Sequence, residues 1–222
     1  MFKRILIANR GEIAVRIIRT CQELGIEAVA IYSNVDSTSL HVQLADHAVC
    51  IGSAKATDSY LNMKNILSAA TALGCDAIHP GFGFLSENST FARLVEECGM
   101  TFIGPSGDII DMMGNKSMAR QKMIEANVPV VPGSDGSVNT LEDARKVAKE
   151  IGFPVLIKAS AGGGGRGMRK AFSEDEFDDA YLTAKAEAKA CFGDDDMYIE
   201  KLILNPKHIE FQILADNYGN VI

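Results

Sequence analysis

Residues 158–169, KASAGGGGRGMR, set four consecutive glycines behind Lys158 and beside Arg166 and Arg169. Such a run is either a slack tether or a backbone cradle for an anion, because glycine serves both purposes. Its neighbours decide. Val155–Ala159 and Met168–Ala171 read as strands, so the run is the tip of a hairpin and not a linker between bodies. It is not a P-loop either, since no helix with the Gly-Lys-Ser/Thr signature follows. What remains is a glycine-rich lid over phosphates. Without Cβ atoms, successive N–H groups can close on one oxygen, and Lys158 stands where it adds a point charge.

The surroundings of the hairpin agree with this. A helix is expected over Leu141–Ile151, and a second after Ser173, with Ser173 and Glu176 as a capping box. A strand is expected over Met197–Ile203, MYIEKLI. Hinges of this kind read adenine through backbone N–H and C=O, with alternate side chains lining an apolar slot. A further strand, His208–Ala215, leads into a turn at Asp216-Asn217-Tyr218-Gly219.

Upstream, short apolar runs alternate with helical patterns. Strands are expected at Ile5–Ala8, Ala28–Tyr32, Ala48–Ile51, Ala77–His79 and Thr101–Ile103. Helices are expected at Glu12–Leu24, Tyr60–Leu73 and Ser89–Cys98. This rhythm predicts a parallel sheet with helices on its faces. The first helix carries Ile13, Ile17, Cys21 and Leu24 on one stripe, and Glu12, Arg16, Arg19 and Glu23 on another. The charged stripe is a solvated face or a protein contact surface. The opening strand–turn–helix lacks the G-x-G-x-x-G of a dinucleotide site, since Gly11 stands alone before Glu12. The segment NKSMARQKMIEANV (115–128) reads as a helix, and VPVVPG (128–133) ends it.

Composition narrows the function classes. The 222 residues are 47% hydrophobic and 23% charged, with a formal net charge of −7. That balance argues against a general nucleic-acid binder, which carries a basic face. No apolar run approaches the ~18 residues that cross a bilayer. The start, MFKRILIANRG, has too short an apolar stretch for a signal peptide. Five scattered cysteines without a CxxC pair are expected to be reduced, small core residues of a cytoplasmic protein. The four histidines lack the spacing of a metal site.

Longer strings carry a resemblance. Lys116, then Lys158 with the glycine loop, then Glu200-Lys201-Leu202-Ile203 is similar to the ordered pattern of ATP-grasp ligases. IANRGEIAVRIIR (7–19), HPGFGFLSEN (79–88), FIGP (102–105) and KASAGGGGRGMR (158–169) together resemble biotin carboxylases over essentially the whole chain. The resemblance implies an α/β fold: a Rossmann-like parallel-sheet domain over 1–114, a helical linker over 115–132, an ATP-grasp lid over 133–203, and the start of the ATP-grasp body over 204–222. It implies ATP-dependent carboxylation of biotin on a carrier protein, with bicarbonate activated as carboxyphosphate, as in the first half-reaction of acetyl-CoA carboxylase. The parent could instead be a pyruvate or propionyl-CoA carboxylase, another ATP-grasp ligase, or a non-catalytic nucleotide-binding protein.

Residue by residue, the resemblance assigns Lys116 and Lys158 to ATP phosphates, and Gly164 and Gly165 to the lid. Glu200, Lys201, Leu202 and Ile203 form the hinge, with the Lys201 carbonyl and Ile203 N–H toward adenine and His208 beside the nucleotide. Ala161 replaces a common fifth glycine, and Phe82 a common tyrosine beside the biotin pocket. Catalytic residues and magnesium ligands are expected past residue 222, so the piece alone is expected to be inactive. The implied partners are the biotin carboxyl carrier protein, carboxyltransferase subunits and a second copy in a homodimer.

Overall fold

Alternation along the first strand explains the amino-terminal architecture. In β1 (Arg4–Ile7) and the residue after it, Ile5 and Ile7 face one way, Leu6 and Ala8 the other. Ile5 and Ile7 pack with Ala14, Ile17, Ile18 and Cys21 of α1 (Gly11–Glu23). Leu6 and Ala8 join Ile66 and Ala70 of α3 (Met63–Ala72) and Phe91 and Val95 of α4 (Ser89–Glu97). A strand buried on both faces belongs inside a parallel sheet covered by helices. The remaining strands are β2 (Glu27–Ser33), β3 (His47–Gly52), β4 (Ala77–His79) and β5 (Thr101–Phe102). All pairs are parallel, in the order β3-β2-β1-β4-β5.

The computed structural model describes residues 2–160 and 167–222, without the side chains of Lys116 and Ser117. The chain divides into two units, 1–122 and 123–222. The second unit is built on an antiparallel sheet in the order β7-β6-β8, from β6 (Val155–Ala159), β7 (Met168–Ala171) and β8 (Met197–Lys201). One face of this sheet (Val155, Ile157, Ala171, Met197, Ile199) is buried under α7 (Leu141–Ile151) and α8 (Glu174–Phe192). Between them, Phe177 and Tyr181 of α8 and Ala144 and Ala148 of α7 fill the core.

Several expectations need correction. The segment 208–215 is not a strand. Ile209, Phe211 and Ile213 alternate as a strand would, but among the described residues no strand borders them, and only an Ala215–Val221 bridge forms beyond the turn. A strand is a pairing, so a pattern without a partner stays extended and exposed. β8 stops at Lys201, where the Leu202 N–H still reaches the Pro154 carbonyl. α3 starts at Met63 and not Tyr60, because the Asn62 side chain caps the Asn65 N–H while Tyr60 turns into the core. Ser173 makes no capping bond, and Glu176 accepts the N–H of Phe172 instead. In α1, Ala14 and Ile18 join the buried stripe, while Leu24 lies past the helix end and is 57% exposed. Only Cys21 and Cys75 are core residues. Cys50, Cys98 and Cys191 are exposed, and all five are free thiols. Two helices escaped the sequence reading, α2 (Leu40–Leu44) and α5 (Gly107–Gly114), the latter capped by Ser106. The segment 115–128 forms α6 (Lys116–Glu125).

Candidate functional site

Two places concentrate chemistry, one in each unit. In the first, the strand order reverses direction at the β1/β4 pair, and ligands of open parallel sheets settle outside the carboxyl ends of such neighbours. The loop 80–84 leaves β4 at this point. At the end of β4, His79 Nδ1 accepts the Gly81 N–H at 3.1 Å. Burial pushes the His79 imidazole below its ordinary value, so the neutral form that can accept this bond is favoured. Gly81, Gly83 and Phe84 all have positive φ, 65°, 70° and 43°. Phe84 is the one side chain among them that adopts a conformation glycine prefers, and its ring stacks on Tyr60 at 5.1 Å. Phe82, at the loop's tip, is 62% exposed.

Beneath the loop lies a polar network. Asp36, 6% exposed, accepts from Arg10 Nε at 2.9 Å, from Ser33 Oγ at 2.8 Å and from the Tyr60 hydroxyl at 2.6 Å. Arg10 adds a second guanidinium bond through Nη2 and lies over the Tyr60 ring. Burial pushes the Asp36 carboxyl up, but the hydrogen bonds from Arg10, Tyr60 and Ser33 outweigh it and hold the carboxyl at about 2. None of these residues except Phe82 was singled out from sequence. The signal is tertiary: positions 10, 33, 36, 60 and 84 meet only once the sheet is built.

In the second unit, the strands pair as the hairpin reading requires: Lys158 lies opposite Met168 on β7 and opposite Tyr198 on β8. The pleat sends Leu156, Lys158, Met168, Lys170, Tyr198 and Glu200 to the sheet face that no helix of the core covers. Lys158 Nζ lies 2.6 Å from Glu200 Oε2, a diagonal cross-strand pair. At the hairpin's return, Gly167 has φ 66°, and a Cβ there would lie 2.8 Å from the Ala159 methyl, so only glycine fits. The expected lid residues Gly164 and Gly165, and Ala161, lie outside the described residues, as does the side chain of Lys116.

The residues expected to form the hinge divide between two faces. Glu200 turns to the open face, while Lys201 turns to the opposite one, where Nζ donates to the Gly152 and Phe153 carbonyls at 2.9 and 2.8 Å. The Lys201 N–H is bonded to the Pro132 carbonyl, and the Ile203 N–H makes no hydrogen bond among the described residues. His208 is exposed, and its Nε2 lies 3.0 Å from Glu210 Oε1. Leu156, Met168, Lys170 and Tyr198 were missed from sequence. Counting alternate residues from Lys158 through the hairpin register would have found them.

The open, part-apolar sheet face carries Lys158 near the end of β6, just before the glycine run in sequence. Residues 1–110 match the family described as biotin carboxylase, N-terminal domain, and residues 115–222 match that described as carbamoyl-phosphate synthase L chain, ATP binding domain. The chain is 56% identical over 222 residues to Biotin carboxylase 1 of Bacillus subtilis, covering 100% of this chain and 49% of that protein. The biotin carboxylase domain of a thermophilic 2-oxoglutarate carboxylase bound to bicarbonate superposes with a TM-score of 0.92 at 52% identity, over 100% of this chain and 48% of the other. The corresponding domain dimer of Hydrogenobacter thermophilus, in complex with MgADP, ADP and bicarbonate, gives a TM-score of 0.79 at 55% identity, over 100% and 49%. The chain belongs to the biotin carboxylase family, and it spans about half the length of the curated relatives it matches.

Proposed function

We propose that this chain is the nucleotide-gripping and biotin-facing half of an ATP-dependent biotin carboxylase. The observation that carries the reading is the placement of Lys158 at the mouth of the glycine hairpin, on a face walled by Leu156, Met168 and Tyr198. A nucleoside triphosphate needs cations for its phosphates and an apolar surface for its base, and Lys158 beside Leu156, Met168 and Tyr198 supports that reading. Lys158 and the amides of Gly164 and Gly165 would hold phosphate oxygens, with Lys116 as a further cation. The backbone of Glu200, Lys201, Leu202 and Ile203 would read adenine, with His208 alongside. The lid would run over 133–203 between the helical linker and the start of the body at 204–222.

In the reaction, the terminal phosphoryl group passes from ATP to bicarbonate, and the carboxyphosphate formed releases CO2 to a ureido nitrogen of biotin. Phosphoryl transfer of this kind relies on positioning and charge neutralisation. Magnesium, when bound, neutralises phosphate charge, and its ligands would lie past residue 222. The biotin would arrive on a carrier protein in the cytoplasm, beside carboxyltransferase subunits and in the context of acetyl-CoA carboxylase. None of the helices described is long and apolar enough to cross a membrane.

Self-association would use the exposed stripe of α1, where Glu12, Arg16, Arg19 and Glu23 border a groove of about 750 Å³ with Ser39 and His41. Arg19→Glu should then shift sedimentation toward monomer. For the activity, the full-length protein should cleave ATP in a bicarbonate-dependent manner, and free biotin should stimulate it. Absence of that stimulation would sink the assignment.

A further inference from the structure

We infer that His41 is a proton-operated latch, holding helix α2 against α1 so that the second wall of the α1 groove stands only while the imidazole is neutral. The inference rests on the self-association proposed above and deepens it by naming what regulates that surface.

α2 is a short helix, and His41 is its one buried side chain, 1% exposed. Its Nε2 lies 3.3 Å from the Ile31 carbonyl of β2. A carbonyl only accepts, so Nε2 carries the hydrogen and Nδ1 keeps its lone pair. That Nδ1 is buried with no hydrogen-bond partner among the described residues. Protonation would put a second N–H there, with no acceptor to take it, and a charge shielded from solvent. Asp36 is the carboxylate that favours this charge, but it already serves Arg10, Tyr60 and Ser33, and Arg10 opposes it. Of the elements packed on α2, α1 turns Glu12, Arg16, Arg19 and Glu23 to the groove and buries Cys21, and β2 brings Tyr32 on the face it shares with Ala28. Asp46, just past α2, accepts the Ala28 N–H. None of these bonds the imidazole. Burial accordingly holds it below its ordinary 6.5. Among the described residues, only one side-chain hydrogen bond ties α2 to α1, from Gln22 Nε2 to the Leu44 carbonyl at 2.9 Å. Ser39, Leu40 and His41 line the groove opposite α1, so undocking α2 removes that wall.

Docked, the imidazole is held neutral; undocked, it titrates at its ordinary value. Docking is therefore complete above 6.5 and erodes as pH falls below it. The test uses the full-length protein at pH about 7.5 and about 5.5. Hydrogen exchange, corrected for its intrinsic rate, is read at the helix amides of Val42, Gln43 and Ala45, and the dimer dissociation constant is read by sedimentation. In wild type, acid should speed this exchange about tenfold and weaken the dimer. His41→Gln keeps an amide donor for the Ile31 carbonyl and cannot take up a proton, so both responses should vanish. His41→Met, equally unable to titrate, replaces it if it fails to fold. Wild-type exchange that ignores pH, or an acid response that persists in the neutral variant, overturns the latch. A dimer that holds in acid while exchange rises overturns the link to self-association. Wild type that is monomeric at both pH values overturns the self-association reading instead, and exchange alone then decides the latch, a flat response overturning it.

Discussion

The loop after β4 and the hairpin after β6 both bring glycines to the end of a strand, yet they are held in opposite ways. The first is tied down by buried side chains from distant positions, with Asn9, Asp36 and Tyr60 each making several bonds. The second hangs from a backbone ladder, with a half-exposed ion pair, Lys158–Glu200, at its mouth. A surface that must present one shape benefits from a rigid polar frame, whereas the function proposed above would have the hairpin admit a nucleotide. Losses in the first region should therefore fall on stability and geometry, and losses in the second on binding.

Asp36→Ala probes that contrast most strongly. It strips Arg10, Tyr60 and Ser33 of a shared partner; Arg10 is half exposed, but leaving the buried Tyr60 and Ser33 hydroxyls without their acceptor costs about 1–3 kcal/mol, read as a loss in urea-unfolding stability of the first unit. The wild-type carboxyl also has an acid signature. Its contribution is complete above 3.8 and is lost as pH falls toward about 2, amounting to about 2 kcal/mol. Asp36→Ala should flatten that part of the acid-unfolding curve. If it does not, the network is not what supports the loop.

Lys158→Ala should behave in the reverse manner. Loss of a charge-assisted phosphate contact weakens ATP by about 10- to 100-fold, with a much smaller effect on AMP, by calorimetric titration. Stability should change by less than about 1 kcal/mol, since the pair with Glu200 is part-exposed. Equal losses for ATP and AMP would make the lysine structural and erase the contrast. Lys201→Met tests the opposite face of β8. Removing its two carbonyl contacts should destabilise the second unit by about 1–2 kcal/mol, read from thermal unfolding. The smallest effect is a pH slope. His79 is held below its ordinary 6.5 by burial, so its contribution is complete above 6.5 and erodes as pH falls, when the unfolded chain takes up the proton first. A first unit equally stable at pH 7 and pH 5 would contradict this.

Much of the fold was legible because its elements are locally specified. β6, β7 and α7 fall where period-2 and period-3.6 patterns end against glycine, proline and a Thr140 cap. What was lost depends on partners distant in sequence. Residues 208–215 have the pattern of a strand but no neighbour among the described residues, and Cys50, Cys98 and Cys191 have the size of core residues but not the location. The same divide runs through the sites. Lys158 announces itself beside its glycines, whereas Asn9 carries no local mark, and its task appears only when Pro80 and Phe82 arrive beside it.

The pleat of β8 has a consequence for how this segment tolerates change. Met197, Ile199 and Lys201 point toward the helices and the loop before β6, while Tyr198 and Glu200 point the other way. A scan of substitutions along the strand would read as an alternating code, odd positions altering whether the unit folds and even positions altering what it holds. Deleting one residue would be worse than any substitution. It would leave a strand of nearly the same length whose two audiences had changed places, with a glutamate sent into the core and an isoleucine turned out to the open face.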